Sequence, residues 1–128
     1  MKGKIKITIK NKHITFQIVL DRNITILTGD SGTGKTKLIN MVRSFAELGK
    51  SSGVTLNCEK PCIVLAGRNW DYELGQTHNS VVFVEESTSF LNTYDFAKAI
   101  QDSDNYYVLV TREPLPQIPY SIDSVKFI

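Results

Sequence analysis

Gly29-Asp30-Ser31-Gly32-Thr33-Gly34-Lys35-Thr36 sets glycines, a lysine and a threonine at the spacing G-x-x-x-x-G-K-[ST]. The glycines let the main chain adopt angles closed to other residues and approach a phosphate closely. Backbone N–H groups from Gly29 to Lys37, those of Asp30, Ser31 and Thr33 included, would then converge on an anion. A helix opening at Lys35 would add the positive end of its dipole. The Lys35 ammonium would reach β- and γ-phosphates, and the Thr36 hydroxyl would sit on Mg²⁺. The bland alternative is a glycine turn joining a strand to a helix, and the flanking pattern has to separate the two.

That pattern has the order phosphate binding needs. Ile24-Thr25-Ile26-Leu27-Thr28 is an apolar strand candidate just before the glycines. After them, Leu38, Ile39, Val42, Phe45, Ala46 and Leu48 recur at helical spacing, which predicts a helix from Lys35 to Leu48 stopped by Gly49. Upstream, Ile5, Ile7 and Ile9 alternate with polar residues, as do Ile14, Phe16, Ile18 and Leu20. These two runs predict a β-hairpin turning at Asn11-Lys12. Downstream, Val54–Cys58 and Cys62–Ala66 are short strand candidates, and residues 67–80 are irregular. Val81–Val84 is a continuous apolar run, fit for a strand buried on both faces. Phe90–Gln101 has helical periodicity, Tyr106–Val110 is β-rich, and Val125–Ile128 is a last strand candidate. Strands alternating with helices predict a mainly parallel sheet with helices on both faces, behind an N-terminal antiparallel hairpin.

Length and composition bound the reading. The 128 residues are expected to form one domain, 1–128, and a hydrophobic fraction of 41% supports a folded core. A net charge of +2 is too small to indicate nucleic acid or an anionic membrane through bulk electrostatics. No apolar run approaches the length of a membrane span, and the lysine-alternating start does not read as a signal peptide. With two cysteines and no disulfide framework, the expected setting is cytoplasmic.

Through Gly29–Thr36 the chain resembles the P-loop NTPases, whose Walker A motif this segment matches. The resemblance implies a three-layer α/β/α fold and a bound nucleoside triphosphate, ATP above all, with Mg²⁺. Ser80-Val81-Val82-Phe83-Val84-Glu85-Glu86 resembles a Walker B strand, with Glu85 where the family usually has Asp. It implies that Glu85 joins Thr36 on the metal. In the ASCE branch (additional strand, catalytic glutamate), the next position activates water, and Glu86 matches it. Thr111, after the following strand, matches a γ-phosphate sensor, with Arg112 as an alternative. The implied catalytic set is Lys35, Glu86 and Thr111. The hairpin resembles that of ABC-type ATPases, but Glu73-Leu74-Gly75-Gln76 is a poor match to their signature. The implied function is slow ATP hydrolysis, with nucleotide state acting on a protein partner or a homo-oligomer. Two alternatives stand beside it: a nucleotide-binding regulatory module without turnover, and a small P-loop kinase. No arginine-rich lid is evident, which disfavours the kinase, and no N-K-x-D motif supports a GTPase.

Weaker signals read blandly. Lys2, Lys4, Lys6, Lys10 and Lys12 are expected to guard a sheet edge against pairing. Cys58 and Cys62 are expected to be buried thiols rather than zinc ligands. Trp70 and Tyr72, in the irregular stretch, could stack on a base or pack locally. Residues 114–120, with three prolines, are expected to strap the end of the chain across the sheet.

Overall fold

The computed structural model describes residues 4–28, 34–85, 88–113, 115, 116 and 118, and the backbone of 125–127. β1 (Ile5–Lys10) and β2 (Thr15–Leu20) form the hairpin, in register from Ile5↔Leu20 to Lys10↔Thr15. Their alternation sends Ile5, Ile7, Ile9, Phe16, Ile18 and Leu20 to one buried face. The turn is longer than Asn11-Lys12. The Asn11 carboxamide oxygen accepts the N–H groups of His13 and Ile14 at 2.8 and 2.9 Å, which closes a four-residue connection.

β3 (Ile24–Thr28) precedes the glycines, and α1 (Lys35–Leu48) follows them over the expected range. α1 buries Leu38, Ile39, Met41 and Val42 along one face. After a short 3₁₀ turn, Gly49–Ser52, come β4 (Thr55–Asn57), β5 (Cys62–Val64), α2 (Trp70–Gly75) and β6 (Val81–Glu85). α3 (Tyr94–Gln101), β7 (Tyr106–Val110) and β8 (Val125–Phe127) complete the order. α3 begins later than its apolar pattern because Thr93 caps it, accepting the Phe96 N–H at 3.2 Å.

The expectation of a three-layer α/β/α sandwich with the hairpin attached to a mainly parallel sheet is not met. The strands divide between two sheets: three antiparallel strands in the order β2-β1-β4, and five in the order β5-β6-β7-β3-β8, joined by parallel pairings. The physical reason is the free edge of β1. β4 takes it, pairing Thr8↔Asn57, Ile9↔Leu56 and Lys10↔Thr55, so the hairpin closes a sheet of its own. One hydrophobic core then joins the inner face of that sheet, α1, and Leu27, Val81, Phe83, Val108 and Val110 of the parallel sheet. The opposite face of the parallel sheet packs on α2, α3 and residues 90–91. The helices are only 14, 6 and 8 residues long. The lysine reading changes as well: β1 is the central strand, so Lys4, Lys6 and Lys10 stand on the exposed face of a sheet and do not guard an edge.

In the second core Trp70 stacks on Phe90 at 5.1 Å and meets Phe96 edge-on at 5.6 Å. Leu115 and Ile118 are buried there, while residues 114, 117, 119 and 120 of the expected strap lie outside the described residues. At the amino-terminal end of the parallel sheet, Asn105 is 1% exposed. Its oxygen accepts the Ser80 N–H, and its amide donates to the Thr77 carbonyl and Ser103 Oγ, each at 2.9 Å. Asn105→Ala strands these partners. It is expected to lower unfolding stability by about 2–3 kcal/mol, read as the shift in urea midpoint. A shift equivalent to less than about 0.5 kcal/mol would show that water replaces the amide.

Candidate functional site

α1 is charged against its own dipole. Its N-terminus carries Lys35 and Lys37 with no acidic residue in the first turn, and its last turn carries Glu47 with no basic one. Each such charge disfavours a helix by about 0.3–1 kcal/mol. Among the described residues no side chain caps the N-terminus either, its N-cap being Gly34. α3 shows the ordinary arrangement, with a Thr93 cap, Asp95 in its first turn and Lys98 in its last. A bound anion would remove the conflict at the start of α1 by accepting the first-turn N–H groups and both ammonium charges.

Gly34 fixes where this helix begins. It has φ +106°, a left-handed angle that favours glycine, and its carbonyl accepts the Leu38 N–H at 2.9 Å. A Cβ there would stand 3.3 Å from Phe16 Cζ of the hairpin. Gly34→Ala is therefore expected to cost about 1–3 kcal/mol, measured by urea denaturation. Undiminished stability would mean that the ring and the turn relax together. Lys35, next in sequence, is buried at 9% exposure, whereas Thr36 and Lys37 are exposed.

Glu85 ends β6 at the same carboxyl edge of the parallel sheet. Val110 of β7 pairs with both Leu27 and Glu85, so β7 lies between the strand feeding the glycines and the strand ending in the acids. Two strand spacings separate Leu27 from Glu85, about 10 Å. Glu85 is in phase with Val81 and Phe83, which face the α1 side. Its Oε1 lies 3.4 Å from Arg43 Nη2, while Arg43 Nη1 donates to Asn40 Oδ1 at 2.9 Å. The Glu85 carbonyl accepts both the N–H and the hydroxyl of Thr88, at 3.2 and 2.9 Å, which fixes the exit from β6.

The structure thus brings Gly34, Lys35, Thr36, Lys37 and Glu85 to one end of the molecule. Gly29, Asp30, Ser31, Gly32, Thr33 and Glu86 lie outside the described residues. Thr111 also follows this edge but is 1% exposed, and its hydroxyl accepts the Glu113 N–H at 3.0 Å while its own N–H bonds Leu27 O at 3.1 Å. In this state the Thr111 side chain ties a turn. Arg112 is exposed. Sequence reasoning missed Arg43. The signal was available: Arg43 follows buried Val42 by one residue and Ile39 by four, at the border of the face that meets the sheet.

Thr36 and Glu85 offer a hydroxyl and a carboxylate, hard oxygen donors of the kind Mg²⁺ takes alongside phosphate and water. Among the described residues no group of three His, Cys, Asp or Glu is placed to hold a metal without such help. Cys58 and Cys62 are free. Burial and, after it, the neighbouring Cys58 thiol push the Cys62 thiol well above its usual range. A cavity of about 460 Å³ lies between the C-terminal ends of α2 and α3, at the other end of the sheet. Its rim carries the exposed pair His78–Asp104, with Asp104 held below the usual carboxylate range by the Asn79 N–H.

The chain matches no protein-family model, and no curated protein matches it. Among the described residues no helix is long and apolar enough to cross a membrane.

Proposed function

We propose that the protein binds ATP or a closely related nucleoside triphosphate with Mg²⁺ at the start of α1 and hydrolyses it slowly. The observation that carries this reading is a helix N-terminus that starts on a glycine N-cap and bears Lys35 and Lys37 against its dipole, directly after a glycine segment of phosphate-binding pattern. The placement of Glu85 at the same sheet edge supports it.

In this reading the first-turn N–H groups and Lys35 hold the phosphates, and Gly34 lets the backbone turn into the helix without a side chain in the way. Thr36 and Glu85 would hold Mg²⁺, which when bound would neutralise charge on the phosphates. Glu86 takes a proton from the attacking water, and Thr111 stands after the neighbouring strand as a sensor once its turn opens. Nucleotide state would then act on a protein partner or a second copy of the chain. The two free thiols accord with a reducing, cytoplasmic setting.

Calorimetric titration of Mg·ATP and Mg·GTP into the wild-type protein tests this. Saturable binding to one site is the expected result, and no heat from either nucleotide removes the reading. A second reading, a binding module without turnover, is favoured by one feature: Glu85 is engaged by Arg43. Nucleotide binding with no phosphate release would select it.

A further inference from the structure

We infer that Arg43 opposes metal binding at this site by holding the Glu85 carboxylate; the inference rests on the proposed role of Glu85 as a Mg²⁺ ligand. The guanidinium spans two partners, Asn40 Oδ1 at 2.9 Å and Glu85 Oε1 at 3.4 Å. Thr36 and Asn40 are four residues apart on one helix, so they share a face and stand about one turn apart, about 6 Å along the axis. Helical side chains lean toward the N-terminus, and the bond to Asn40 is in keeping with Arg43 leaning that way. Its positive charge therefore stands roughly one turn from the hydroxyl that would touch the metal.

Two effects follow. Mg²⁺ can take Glu85 Oε1 only by displacing or sharing it with Arg43, and by the other carboxylate oxygen it would still share the carboxylate's charge with the guanidinium. A fixed cation close by also repels a divalent one. Both side chains are partly open to solvent, 38% for Arg43 and 26% for Glu85, so the opposition is moderate. The device is a positioning residue that makes Mg²⁺ stay only when phosphate supplies the remaining charge. Arg43 acts through Glu85 and touches no reacting atom.

The test is ATP binding by calorimetry in EDTA and across a Mg²⁺ series, for wild type, Arg43→Gln and Arg43→Met. The two variants are expected to reach half-maximal enhancement of ATP affinity at about three- to tenfold lower Mg²⁺. Their affinity for ATP in EDTA should stay near wild type, which a merely structural role would not arrange. Met keeps the apolar stem, so agreement between the variants excludes a packing effect. An unchanged Mg²⁺ requirement, or a higher one, overturns the inference while leaving nucleotide binding intact. Wild-type protein that binds no ATP in any of these conditions removes the nucleotide reading, and the opposition to metal falls with it.

Discussion

Lys35→Ala is expected to weaken Mg·ATP binding about 100-fold or more, which takes a micromolar site out of the range of ordinary titration. One or two charge-assisted hydrogen bonds to phosphate oxygens, each worth about 1.5–3 kcal/mol, account for that loss. The position makes the effect larger than that of a surface lysine. Lys35 is buried, so less of its side-chain freedom is left to lose when a ligand binds. Stability should move in a different way. Truncating the buried stem loses packing, and the change in stability is expected to be about 1 kcal/mol. Thermal unfolding and titration on the same sample separate the two. Wild-type affinity in this variant would show that the glycine segment is only a turn.

Glu86→Gln is expected to lower phosphate release by about 100- to 10,000-fold while leaving ATP affinity close to wild type. Gln keeps the shape and the acceptor oxygen but cannot take a proton at neutral pH. The effect falls on the step that activates water, after binding is complete. Glu85→Gln would instead alter the Mg²⁺ dependence of binding, so the two neighbouring acids are told apart by which quantity changes. Single-turnover phosphate release measures the first, and unchanged release in Glu86→Gln would remove that residue from the reaction.

Local order was readable in the sequence wherever one period dominated. α1 occupies Lys35–Leu48 because its apolar spacing and Gly49 agree, and β7 occupies Tyr106–Val110 because its run is apolar without interruption. α2 was hidden. It is six residues with mostly exposed side chains, and only Trp70 and Leu74 turn inward, too few to set a helical period. The second sheet was hidden for a different reason. β4 is three residues long, and its choice of β1 over the parallel sheet is a long-range pairing that no local pattern encodes. The candidate site was legible through residue types at Lys35, Thr36 and Glu85. The engagement of Glu85 by Arg43 depends on how α1 crosses β6, which is a matter of packing.

The interior place of β3, between β7 and β8, has a kinetic consequence. Both of its neighbours come from the far half of the chain: β7 pairs along Ile24–Leu27, and β8 along Ile26–Thr28. The hairpin and α1, by contrast, can assemble from nearby residues. Pairings that close long loops are slow, because the entropy of closure is lost before contacts repay it. The strand that delivers the glycines should therefore find its partners late in refolding. Hydrophobic burial in the hairpin would precede the ability to hold a phosphate, and a stopped-flow experiment following both signals would see them separate in time.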